Sequence, residues 1–185
     1  MITMFNDWIT LRMMSATSKA VNENIIYELY NYTCDGTAAT AINTGIYLFN
    51  TTLYPNGWDI YFDFTIVQHI NSQESYLRCR DASYPYNGFT IRRDNTKNEV
   101  QMQTIGRSAS VTNVPANTRL VATVEKTKSK LKVTIGNIST ESSLAPVVGP
   151  LLIGGELSND TTQTWNTTRF SKIIVHSLVI TKKTS

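Results

Sequence analysis

The chain has 185 residues, enough for one domain with a sizeable core; 41% of them are hydrophobic and only 17% are charged. A net charge of +3 is too small to point to nucleic acid as a partner. No apolar run approaches the roughly 20 residues of a membrane helix, and the start MITMFNDWITLRMM lacks the basic, apolar and small-residue regions of a secretion signal. Membrane insertion is therefore not expected, and synthesis in a cytoplasm is. Plentiful Thr, Val, Ile and Tyr favour strands and plentiful Asn marks turns, so an all-β protein is expected.

Residues 1–25 stand apart. Asp7 is a suitable helix cap, yet the apolar residues follow neither a helical nor a strand period. The segment reads as an arm or docking segment, with a strand of the main domain as the alternative. From residue 26 to 185 alternation dominates. In WDIYFDFTIV (58–67), Ile60, Phe62, Phe64 and Ile66 share one face, and Asp59, Tyr61, Asp63 and Thr65 share the other, toward solvent. SYLRCRDA (75–82) sets Tyr76, Arg78 and Arg80 opposite Leu77 and Cys79. NEVQMQTIG (98–106) is a moderate strand. TRLVATVEKTKSKLKVTIGN (118–137) is a strong hairpin whose lysines 126, 128, 130 and 132 mark a solvated tip. The apolar run SKIIVHSLVIT (171–181) suggests a closing strand covered on both faces. Short strands at intervals near ten residues argue for a sandwich or barrel.

The motifs exclude more than they assign. GPLLIGGE (149–156) has the glycines of a phosphate loop, but an Asn- and Thr-rich stretch follows instead of a helix, so Gly154 or Gly155 is expected to supply a positive φ or a bulge at a strand end. No acid-x-acid pattern provides the paired carboxyls of a glycosidase; Asp59 and Asp63 would need acids from other strands. His69 and His176 lack metal-ligand spacing, and His176 reads as a hydrogen-bonded sheet residue. Cys34 and Cys79 match neither zinc nor redox spacing and read as two free buried thiols. Neither a cofactor nor a metal is called for.

The remaining signal lies in polar-aromatic loops. YPNGWD (54–59), DASYPYNG (81–88) and TQTWNTTR (162–169) combine Tyr or Trp with Asn, Asp or Arg. Aromatic rings of this kind stack on sugar C–H faces while polar neighbours take the hydroxyls. Trp58, Tyr84, Tyr86, Asn87, Trp165 and Arg169 are therefore the candidate ligand-binding residues; the alternative is that the aromatics plug the ends of a sandwich.

The order of CDGTAATAINTGIYLFN, WDIYFDFTI, the 119–137 hairpin with its TIGN turn, and LLIGGE followed by TTRFSKIIVHSLVIT resembles the concanavalin A-like lectin/glucanase and laminin-G superfamily over residues 28–182. The resemblance departs at Ser171, where a glycine commonly follows the aromatic. It implies a two-sheet antiparallel jelly roll of residues 26–185. It does not imply catalysis, because the clustered acidic motif of the family's hydrolases is absent. Some members bind calcium, and Asp35, Asp81 or Asp160 would be the donors, though no motif selects among them. Such domains are frequent in phage fibres, decoration proteins and adhesins. The resemblance thus implies a non-enzymatic virion or attachment protein, assembled in the host cytoplasm and docked to other virion proteins through residues 1–25. It would be a homo-oligomer able to meet cell-surface or mucosal glycans. A free-standing carbohydrate-binding module at a cell surface is the first alternative and a glycoside hydrolase the second.

Overall fold

The computed structural model describes residues 24–48, 52–80, 87–93, 98–143, 147–159 and 162–184. The expected arm lies almost wholly outside the described residues, as do Asp81, Tyr84, Tyr86 and Asp160. In chain order the strands are β1 (Ile25–Asp35), β2 (Ile42–Asn43), β3 (Trp58–Gln68), β4 (Glu74–Arg80), β5 (Gly88–Arg93), β6 (Glu99–Thr104) and β7 (Arg107–Thr112). There follow β8 (Thr118–Lys126), β9 (Leu131–Ile135), β10 (Ile138–Ser142), β11 (Leu151–Ile153), β12 (Leu157–Asn159), β13 (Thr164–Trp165) and β14 (Lys172–Lys182). Two six-stranded sheets form, in the orders β1-β14-β3-β8-β9-β10 (sheet A) and β2-β11-β4-β5-β6-β7 (sheet B), with β12-β13 as a separate hairpin. Every pairing is antiparallel. No helix among the described residues is long and apolar enough to cross a membrane.

Alternation fixes which faces meet. Ile60, Phe62, Phe64 and Ile66 of β3 are at most 1% exposed and join Ala122, Val124, Val133 and Ile180 on the inner face of sheet A. Against them stand Leu77, Cys79, Ile91, Met102, Leu151 and Ile153 of sheet B. Each such side chain contributes about 1.5–3 kcal/mol by leaving water, so the register that buries this set prevails over a one-residue slip. The β8–β9 hairpin turns at its lysines, with Thr127 N–H donating to the Lys130 carbonyl at 2.9 Å.

Three expectations need correction. Tyr76 does not share a face with Arg78 and Arg80. The β4–β5 register shifts between Ser75 and Leu77, and this bulge turns Tyr76 into the core beside Phe64. Asp63 does not face solvent: it is 6% exposed and accepts two hydrogen bonds from Arg119, at 2.8 and 2.6 Å. Finally, β14 is covered on one face only; outward-facing Ile174 and Val179 are half-buried. His176 is the extra residue of a second bulge, where the β14–β3 register shifts, and its Nε2 lies 2.8 Å from Thr65 Oγ1.

The glycine pair sits where β11 leaves sheet B. Gly154 has φ +73°, and a Cβ there would stand 2.4 Å from Cys34 Sγ, so only glycine fits without strain. Its N–H donates to Tyr76 O and its carbonyl accepts from Ser171 N–H. Ser171, which follows Phe170 at the point where the resemblance departs, is fully buried and donates its hydroxyl to Ser75 O at 2.9 Å. These bonds tie the root of the β12–β13 hairpin to β4 and aim the hairpin over the outer face of sheet B. Both thiols are free and buried, Cys34 in sheet A and Cys79 in sheet B, and burial pushes each up to about 12.

Candidate functional site: an arginine and glutamine face on sheet B

With Leu77, Ile91 and Met102 turned inward, their neighbours must point outward. Arg78, Thr90, Gln103 and Ser108 align across β4, β5, β6 and β7, and Arg92, Gln101 and Ser110 form the next row. Arg80 completes the set at the end of β4. The outer face of sheet B therefore carries three arginines interleaved with two glutamines.

Glutamine acceptors hold two of the guanidiniums in place. Arg92 donates from Nε and Nη2 to Gln101 Oε1, at 3.1 and 3.0 Å, and Arg80 Nη1 donates to Gln103 Oε1 at 3.0 Å. Arg78 is fully buried beneath the hairpin, donating to the Leu157 carbonyl at 3.1 Å. Glu156, 9% exposed, reaches down from the hairpin root: its Oε1 is 3.1 Å from Arg78 Nη1 and 3.6 Å from Arg80 Nη2. Leu152, paired with Arg78 and fully buried outside the core cluster, marks the area the hairpin covers. Beyond the hairpin Arg92, Gln101 and Gln103 are half-exposed. Among the described residues this face has three guanidiniums and two carboxylates, Glu156 at the hairpin root and Glu99 at the start of β6.

The structure divides the sequence-derived candidates. Trp58 is a core residue: it is 1% exposed, its ring lies 6.0 Å from Phe89, and its Nε1 donates to the Leu48 carbonyl at 2.9 Å. No ring face remains for a sugar, which corrects that assignment. A tryptophan bordering a turn satisfies the stacking pattern and the core pattern equally, so the sequence did not separate them. Tyr84 and Tyr86 lie outside the described residues. Asn87 is half-buried at the start of β5, its carbonyl accepting from Val148 N–H. Trp165 is half-buried, packing at 5.8 Å on Phe170 and against Gly155, where an added Cβ would come within 3.0 Å of the indole. The half-buried Arg169 accepts from Ser75 N–H through its carbonyl, at the start of β4. Asn87 and the Trp165–Arg169 pair thus flank the arginine face at opposite ends of β4. The arginines and glutamines themselves were missed as site residues. Their signal was present in the alternation of Arg78-x-Arg80 and Gln101-x-Gln103, but only pairing shows that these stripes adjoin.

One carboxylate pair does converge, on the other side of the sandwich. Asp59 and Glu125 face each other across β3 and β8, and Lys183 Nζ stands 3.1 and 3.0 Å from them. Their near oxygens are therefore within roughly 6 Å, close to the spacing of a retaining glycosidase pair. A general acid in such a pair needs a raised pKa. Glu125 is shifted the opposite way: Lys183, hydrogen-bonded to it, holds its carboxyl below the usual range. The arrangement has the electrostatics of a surface ion-pair network. His69 is tied into structure, with Nδ1 3.2 Å from buried Glu74 and Nε2 3.2 Å from the Val114 carbonyl. Among the described residues no three His, Cys, Asp or Glu side chains gather to hold a metal.

No family model and no curated protein matches the sequence. Solved structures do match the fold. The chain is similar to Ruminococcus gnavus IT-sialidase CBM40 bound to α2,3-sialyllactose, with TM-score 0.57 and 10% identity, covering 87% of this chain and 94% of that one. A second structure of the same CBM40 gives TM-score 0.55 at 9% identity, covering 86% and 93%. Trypanosoma rangeli sialidase in complex with sialic acid gives TM-score 0.50 at 11% identity, covering 69% of this chain; the chain spans about a fifth (21%) of that sialidase. The fold is a concanavalin-like jelly-roll sandwich, and these likenesses speak to the fold alone. The neighbouring CBM40 chains are carbohydrate-binding modules; none of the structures named is a virion protein.

Proposed function

We propose that this chain is a carbohydrate-binding module that holds an anionic sugar on the outer face of sheet B without cleaving it. The observation that carries this reading is a polar sheet face on which, among the described residues, half-exposed Arg92 is braced by Gln101 and largely buried Arg80 by Gln103. A braced guanidinium loses little freedom on binding, and its planar fork matches a carboxylate. Sialyllactose, the ligand of the CBM40 neighbour, carries such a carboxylate. Trp165 and Arg169 at one end of the face, and Asn87 at the other, supply ring surface and polar contacts for the rest of the sugar. A glycan ligand implies action outside the cell or at its surface.

The test is calorimetric titration with α2,3-sialyllactose and with lactose. The expected result is binding of the first, at least tenfold weaker binding of the second, and loss of the difference in Arg92→Ala. Equal binding of both sugars, or an Arg92→Ala variant that retains the preference, would overturn the reading.

A further inference from the structure

The outer face of sheet A carries a second, chemically different depression. Two adjacent rows build it: Thr181–Asp59–Glu125 and Val179–Tyr61–Thr123, each aligned across β14, β3 and β8. Between them lies an open groove of about 350 Å³, within the range of roughly 300–1,000 Å³ that small ligands occupy. Tyr61 is 42% exposed in the middle of the sheet. Its ring borders Val179 on one side and Thr123 on the other. Asp59 and Glu125 each give one oxygen to Lys183, and their side chains stay 49% and 46% exposed.

From this groove we infer a second binding site, for an uncharged, hydroxyl-rich sugar. The aromatic ring provides a stacking surface, and the carboxylate oxygens that Lys183 does not engage accept from sugar hydroxyls. Threonine hydroxyls complete the polar margin. The charge arrangement decides against other ligands. Two carboxylates at the mouth disfavour an anion, and the Lys183 ammonium already fills the space between them that a small cation would take. This site faces away from the arginine face, across the full thickness of the sandwich, so neither depends on the other.

The test is an amide NMR titration with maltohexaose, cellohexaose and mannohexaose, each uncharged and at millimolar concentration. At least one should move the Asp59, Tyr61, Thr123 and Thr181 resonances together. Tyr61→Ala should weaken that response about tenfold, while Arg92→Ala leaves it unchanged. Glu125→Gln, which keeps the side chain's shape, should weaken it as well and serves as the check if Tyr61→Ala folds poorly. Silence of these resonances with all three sugars would overturn the site, as would an undiminished response in the folded variants. Failure of the arginine face instead appears as lost sialyllactose binding with this response intact.

Discussion

The Arg78 guanidinium, with no exposed surface, stands 3.1 Å from the Glu156 carboxylate, and that contact joins the β12–β13 hairpin to the middle of sheet B. Removing one partner of a buried pair leaves the other charge desolvated, at a cost of about 3–5 kcal/mol. Glu156→Ala is expected to destabilise the domain at the lower end of that range, because Arg78 also donates to Leu157. Urea denaturation measures the loss. Sulfate, which stabilises folded proteins generally, should raise the variant's midpoint more than the parent's by standing in for the missing carboxylate, and equal rises in the two would contradict that account.

Trp58 separates a core role from a ligand role. Trp58→Phe keeps most of the apolar volume and loses the bond to the Leu48 carbonyl, an expected cost of about 1–2 kcal/mol. Trp58→Ala should cost about 3–5 kcal/mol. Sialyllactose affinity of the folded Trp58→Phe protein should match the parent; a marked drop would return Trp58 to the list of binding residues.

The two adjacent glycines should respond differently to alanine. At Gly154 the positive φ and the clash with Cys34 predict a loss of more than about 1 kcal/mol of stability. At Gly155 the new Cβ would sit 3.0 Å from the rings of Trp165 and Phe170. That substitution should displace Trp165 and change its fluorescence and the sugar affinity more than the denaturation midpoint. Equal effects of the two variants on stability would argue against this division.

Asp63 links stability to pH. Arg119, hydrogen-bonded to it, holds its carboxyl below the usual value. A depressed folded-state pKa contributes stability that is fully present above the unfolded value of about 3.9 and is lost as pH falls through the folded value. Arg119→Ala should therefore lower the denaturation midpoint at pH 7, with the gap from the parent closing below about pH 4. A gap that persists unchanged at pH 2 would rule out this linkage.

The thiols should be silent in the folded state. Burial raises both Cys34 and Cys79 to about 12, so the thiolate is scarce at neutral pH and the sulfur is screened as well. A thiol reagent at pH 8 should label the folded protein at the rate of unfolding and the denatured protein at once.

Much of the fold was legible because one periodicity carries it: Ile60, Phe62, Phe64 and Ile66 have a single arrangement that buries all four. Tyr76 was misread for the same reason, since a bulge adds one residue and reverses the parity with no local mark in the sequence. Asp63 looked solvent-facing because its partner Arg119 lies in another strand. The candidate site was legible only at its margins. Asn87 and Arg169 stand in loops and Trp165 in the two-residue strand β13, where local composition drew notice, whereas Arg80, Arg92, Gln101 and Gln103 become one surface through long-range pairing. Glu156 reaches it only because Gly154 turns the chain.

The described chain enters and leaves the sandwich at one corner: Ile25 pairs with Thr181, and Lys182 N–H donates to the Asn24 carbonyl at 2.8 Å. Tension applied between residues 24 and 183 would therefore load the β1–β14 ladder at its terminal rung and part it one bond at a time, like a zip, instead of shearing all rungs together. The domain should be mechanically soft along that axis, however stable it is to heat or urea. A glycan on sheet B would pull across the sandwich in a different direction, where resistance rests on the packed core.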